Sequence, residues 1–164
     1  MGPRPQGGFF YGFTADYTLY RCTEHGETDL IIRRDAESIP ISQQEKDSVK
    51  GNLRDSILVM GRTIPDEVLE QACQFPPTRP HFVSLVTDDL GRLYVRRLRS
   101  VLDESDTQVL DVFGPDGRYL YRIVTDVSPQ AITRGQVYEL EENEDEGTIL
   151  LKRHRILNWD SIRE

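Results

Sequence analysis

Between Pro80 and Ile123 the apolar residues come in short runs separated by polar turns, a spacing of strands and hairpins and not of helices. Phe82 to Val86 is a run of the buried type, Asp88-Asp89-Leu90-Gly91 turns it, and Leu93-Tyr94-Val95 runs back. Val109 to Phe113 and Tyr119 to Ile123 are joined by Gly114-Pro115-Asp116-Gly117, whose glycines suit a tight hairpin turn. Residues 80–127 therefore predict one complete four-stranded antiparallel meander. Residues 7–36 repeat the pattern with three strands, at Phe9 to Phe13, Tyr17 to Cys22 and Leu30 to Ile32. Residues 128–157 do so again, with Ala131-Ile132, Val137 to Leu140 and Ile149 to Leu151. The first unit lacks a first strand and the last lacks a fourth.

Residues 37–79 break this rhythm. Ser42 followed by Glu45 makes a capping box, and Val49, Leu53 and Ile57 recur every fourth residue up to Gly61. A second, shorter helix opens at Pro65, carries Asp66 and Glu67 at the positive end of its dipole, and stops before Pro76-Pro77. The expectation is a two-helix insertion between the first and second strand units. Residues 1–6 read as a disordered tail, and residues 158–164 as a C-terminal tail in which Trp159 packs as an anchor.

The chain repeats itself. Gly91-Arg92-Leu93-Tyr94 returns as Gly135-Gln136-Val137-Tyr138, and Leu110 to Gly117 matches Leu19 to Gly26, a strand running into a turn that ends in glycine. Self-similarity at about 40 to 50 residues, with about four strands per period, is the pattern of β-propeller blades. The fold class expected is thus all-β, a partial β-propeller of about two and two-thirds blades with a helical insertion.

Phe9-Phe10-Tyr11 with Ile31-Ile32-Arg33-Arg34, Asp88-Asp89-Leu90-Gly91-Arg92-Leu93-Tyr94-Val95-Arg96, and Asp111-Val112-Phe113-Gly114-Pro115-Asp116-Gly117-Arg118-Tyr119-Leu120 resemble the later blades of bacterial six-bladed β-propellers of the NHL-like type. Gly135 to Tyr138 with Arg153-His154-Arg155-Ile156 is similar to the final blade of such proteins. The resemblance spans roughly residues 7 to 157. It implies a C-terminal portion of a longer, six-bladed protein, against the alternatives of a part-propeller completed by another chain and a freestanding open stack of sheets, with an extracytoplasmic setting in the periplasm or cell envelope and a binding scaffold in place of a defined reaction.

Composition narrows the functions. A net charge of −8 disfavours a nucleic-acid partner, which needs a surplus of Lys and Arg at its contact surface. No apolar run approaches the roughly 20 residues of a membrane span. Cys22 and Cys73 lie far apart without metal-ligand spacing and read as two buried free thiols. His25, His81 and His154 are mutually distant, and no nucleophile elbow, phosphate loop or paired-cysteine motif is present, so no catalytic residue, metal or cofactor is assigned.

In an A–B–C–D meander the short A–B and C–D turns lie at one end, and the B–C loop and the connection to the next unit lie at the other. The helical insertion, the loop from Leu98 to Gln108 and the acidic loop 141–147 all fall at this second end, which makes it the expected binding face. Candidate ligand-binding residues are His81, at the start of an inner strand, and Arg96, Arg97 and Arg99, against the alternatives of a capped strand-end histidine and of arginines paired with Asp103, Glu104 and Asp106. Glu139, Glu141, Glu142, Glu144, Asp145 and Glu146 form an acidic run without the ordered ligands and glycine of a calcium loop, and read as a solvated loop. The function expected is a non-enzymatic scaffold for a protein or small-molecule ligand, with self-association through open blade edges. The competing reading is part of a metal-dependent, lactonase-like propeller hydrolase or lyase whose catalytic residues lie mostly in other blades.

Overall fold

The computed structural model describes residues 2–5, 7–143 and 147–159. The chain is mostly β: three antiparallel sheets and two helices. The first sheet runs β1 (Gly2–Pro3), β2 (Phe9–Phe13), β3 (Thr18–Cys22), β4 (Thr28–Arg33). Helices α1 (Gln43–Val59) and α2 (Asp66–Ala72) follow. The second sheet is β5 (Phe82–Thr87), β6 (Leu93–Arg97), β7 (Gln108–Phe113), β8 (Tyr119–Thr125), and the third is β9 (Ala131–Thr133), β10 (Gln136–Asn143), β11 (Thr148–Arg155). Every strand pairs with its sequence neighbour, so each sheet is a plain meander.

Two expectations are corrected at the ends of the chain. Residues 1–6 are not wholly a tail, because Gly2 pairs with Phe10 and Pro3 with Phe9, which gives the first sheet a short fourth strand. The turn that makes this possible returns at Gly8, whose φ of +77° is open to glycine and where a Cβ would lie 2.1 Å from the Cys22 carbonyl oxygen. At the other end, residues 141–143 of the expected acidic loop continue β10, with Asn143 opposite Thr148. Glu144, Asp145 and Glu146 lie outside the described residues, as do residues 160–164 of the C-terminal tail.

The strand period of two decides how the sheets stack. In the first sheet Phe10, Leu19 and Ile32 share one face and are buried, while Tyr11, Tyr20 and Ile31 share the other. The buried set meets Leu85, Leu93, Val95 and Phe113 on one face of the second sheet, with Phe82 and Tyr17 completing the cluster. The opposite face of the second sheet carries Tyr94 and Val112, which pack on Ile132 and Val137 of the third. Full burial of side chains such as Leu93 or Phe113 contributes roughly 1.5–3 kcal/mol each. The three sheets thus form a stack in chain order, and their edge strands approach in pairs, β1 beside β5 and β5 beside β9.

The sheets also stack in the same sense. The Pro3 carbonyl accepts from the Thr87 hydroxyl, and the Arg134 N–H donates to Asp89 Oδ1 at 3.0 Å, so the first turns of successive sheets lie side by side. At the opposite end Ser42 caps α1 through a reciprocal capping box with Glu45. Glu45 also accepts from Ser100 Oγ at 2.6 Å and pairs with Arg79, tying the insertion to the β6–β7 loop. The expected apolar stripe of α1 is less buried than its spacing suggests: Val49 and Leu53 stay largely exposed, and Lys50–Glu70 and Arg54–Asp66 ion pairs link the two helices.

Candidate functional site

The three edge strands that converge also line a groove. Pro3, Arg4 and Pro5 form one wall, Val83 through Asp89 the floor, and Pro129 through Thr133 the other wall, around a volume of about 590 Å³. β1, β5 and β9 are each the terminal strand of their sheet, so the groove runs past backbone groups that no neighbouring strand pairs. Its surface is mixed, with Val83, Val86 and Ile132 beside Ser84, Gln130 and Thr133.

Arg96 brings positive charge to this surface. It stands opposite Ser84 across the β5–β6 ladder and lines the groove. Its Nη1 donates to Ser128 Oγ at 2.7 Å, which orients the guanidinium, and its buried Nε has no partner among the described residues. Arg4 supplies a second cation at the rim.

The other three sequence candidates lie elsewhere and do not gather with it. Strand alternation puts Arg97 on the opposite face from Arg96. There its Nε donates to the His81 carbonyl at 3.0 Å and its Nη1 approaches Asp111 Oδ2 at 3.4 Å. His81 is buried, donates its N–H to the Thr14 carbonyl at 2.7 Å, and sets its ring 5.9 Å from that of Tyr17, the position of a structural strand-start residue. Arg99 pairs with Asp103, Nε to Oδ2 at 2.9 Å, and its Nη1 donates to the Ser105 and Thr107 carbonyls, holding its own loop closed. The expected convergence of these arginines on one face is therefore corrected: Arg96 lines the groove, Arg97 turns to Asp111 and Arg99 closes its own loop.

Two buried aspartates were not singled out by the sequence. Asp111 lies between the first and second sheets with no exposed side-chain surface, ringed by Arg34, Arg97, Arg122 and the Tyr17 hydroxyl, the last at 2.9 Å. Burial pushes its carboxyl upward, but hydrogen bonds from Arg34, Tyr17 and Arg122 outweigh that and hold it below the ordinary range. Burial, and then the charge of Asp111, push the Tyr17 hydroxyl well above its ordinary value, so it stays a donor. Asp88 accepts from the Leu90 and Arg92 backbone N–H groups, the Arg92 Nε at 2.6 Å and the Tyr94 hydroxyl at 3.0 Å. Both had a signal: an acid inside an apolar strand, Leu110-Asp111-Val112, and an acid opening a turn that closes on glycine.

A second cavity, of about 650 Å³, opens between the second and third sheets, where Tyr121, Ile123, Val127, Val137 and Ile156 line a mostly apolar wedge. Glu139 lies outside this wedge, accepting from the Ser128 N–H at 2.7 Å and facing His154 Nε2, which does line it, at 3.1 Å. Glu139, Glu141 and Glu142 thus serve the strand and its surface, with Glu141 paired to Lys152. Trp159 packs on Gly135, where a Cβ would lie 2.9 Å from its ring, and under the Arg92 guanidinium at 4.4 Å. Cys22 is buried and Cys73 only half-buried, both as free thiols. Among the described residues no group of three or more His, Cys, Asp or Glu side chains is arranged to hold a metal ion, and no helix is long and apolar enough to cross a membrane.

The geometry defines a class, an all-β protein of three same-sense meander sheets converging on their edge strands. Comparison with models of protein families, with curated proteins and with solved structures returned no match.

Proposed function

We propose that this chain is a non-enzymatic segment of a β-propeller that binds an anionic ligand in the groove between its inner strands. The observation that carries the reading is Arg96: an oriented guanidinium at the wall of a 590 Å³ groove, with one buried N–H donor unpaired among the described residues. The Arg96 guanidinium lines the groove, and a ligand carboxylate would meet it there in a charge-assisted hydrogen bond. The apolar walls at Val83, Val86 and Ile132 suit the carbon skeleton of the same molecule, and a concave, mixed surface with few convergent polar groups is the common form of a small-molecule site. Three meander sheets with adjacent edge strands support the propeller part of the reading, as do the blade-like repeats.

The test is a titration followed by backbone amide NMR, using small carboxylic acids and, in parallel, their neutral amides. The acids are expected to shift the amides of Ser84, Val86, Arg96 and Ile132, the neutral amides to bind at least tenfold more weakly, and Arg96→Met to remove the difference. Equal binding of acids and amides, shifts centred elsewhere, or no shifts at all would overturn the reading.

A further inference from the structure

The two ends of the stack present sheet faces that no described residue covers. On the first sheet, Phe9, Tyr11, Phe13, Tyr20 and Ile31 lie together on the outward face, with Tyr11 and Tyr20 stacked at 5.0 Å and Phe13 58% exposed. On the third sheet, the face turned away from the second carries Tyr138, Leu140, Ile149 and Leu151, the last 65% exposed. Contiguous apolar faces of this kind on strand sheets are built to be covered.

The strand registers fix where the charges sit on each face. On the third sheet Arg153 and Arg155 flank the end nearest the Arg134–Gly135 turn, and Glu142 lies at the opposite end beside Ile149. On the first sheet the β3–β4 turn carries Glu24 and Glu27 at the end corresponding to those arginines, and Arg33, opposite Thr18, lies at the other. Within the chain, successive sheets stack with their first turns side by side. If the next sheet follows the same rule, Glu24 and Glu27 meet Arg153 and Arg155, Arg33 meets Glu142, and the two apolar faces close between them.

We infer that two copies of this chain associate head to tail, the first sheet of each on the third sheet of the other, to close a ring of six sheets. In the same-sense stacking that the chain itself uses, the two faces are complementary to each other, whereas two copies of one face would set like charges rim against rim. Six sheets lie within the four to eight that propellers use, and two equivalent contacts close the ring without leaving an end. This assembly is independent of whether the groove takes a ligand.

Light scattering across a concentration series tests it, with circular dichroism to check folding. The wild-type chain is expected at twice its chain mass, without larger species. Phe13→Glu and Leu151→Glu, both at exposed positions on opposite end faces, are each expected to be monomeric alone. Mixed, they are expected to form a one-to-one pair, because the mixture retains one intact contact. A second route uses charge alone: Arg153→Glu with Arg155→Glu should weaken association at least tenfold, and mixing with a Glu24→Arg, Glu27→Arg chain should restore it. A folded wild-type monomer, a ladder of growing sizes, a single variant that still dimerises, or a mixture that stays monomeric would each overturn the inference.

Discussion

The two inter-sheet interfaces of this chain use the same ingredients and reach different results. Between the first and second sheets nine buried residues fill the space, and Asp111 crosses it, taking hydrogen bonds from Tyr17 and Arg34 of the first sheet and from Arg97 and Arg122 of the second. Between the second and third sheets the buried cluster among the described residues is smaller, Tyr94, Val112 and Ile132, with Leu110 buried beside a cavity around which the sheets diverge. The aspartate there, Asp88, bonds inside its own sheet, at the turn from Asp88 to Tyr94, and its partner Arg92 stacks on Trp159 of the C-terminal segment. A carboxylate that bonds across an interface locks its register, whereas one that bonds within a turn leaves the interface free to open.

The most direct way to break this contrast is Asp111→Asn. It leaves three guanidiniums around a neutral amide, and removing one partner of a buried ionic cluster typically costs about 3–5 kcal/mol. Urea denaturation should show that loss, since the carboxylate itself has no exposed surface. Acid should reproduce it. Asp111 ionises below its ordinary range, so its contribution is complete above the unfolded value of about 3.9 and is lost as the pH falls through the lower, folded value. The Asn variant should therefore show a flatter acid limb than the wild type, and an unchanged limb would mean that Asp111 does not hold the interface.

Packing sharpens the same comparison on a smaller scale. Val95 has no exposed surface in the full interface, and Val95→Leu should cost about 1–3 kcal/mol by overpacking. Val137 borders the wedge, and Val137→Leu has room to enter it, so its effect should fall within about 0.5 kcal/mol. Similar losses at both positions, measured by urea midpoint at constant slope, would show that the wedge is as tight as its neighbour.

How much of this could be read beforehand depends on what the residue pattern encodes. The meanders were legible because turn chemistry is local: Gly114 to Gly117 and Asp88 to Gly91 announce hairpins by composition alone. β1 was not, because Gly2-Pro3 has no strand character and is held by what it lies against, Phe9 and Phe10. The capping box of Ser42 and Glu45 was plain, but the reach of Glu45 to Ser100 was not, since it depends on where two distant loops meet. The arginines illustrate the limit most clearly. Arg96 and Arg97 are neighbours in sequence, and the strand period sends one to the groove and the other to Asp111, a division that becomes visible only when each face has a known neighbour.

The insertion above the tighter interface gives a local effect and a clean separation from the stack. Ser42 both accepts from the Glu45 N–H at 3.2 Å and donates to Glu45 Oε2 at 3.1 Å, so Ser42→Ala should cost about 1 kcal/mol of α1. The Ser100 hydroxyl, followed by the Ser42 backbone N–H and hydroxyl and Arg79, holds the Glu45 carboxyl down to about 2 against the opposing effect of burial. Its contribution is therefore complete above the unfolded value of about 4.3 and fades as the pH falls toward about 2. Hydrogen exchange should register both changes in the first turn of α1 and leave the amides of β6 and β7 protected. Faster exchange in those strands as well would mean that the insertion braces the sheets it sits on, and that the strength of the first interface is partly borrowed from the helices.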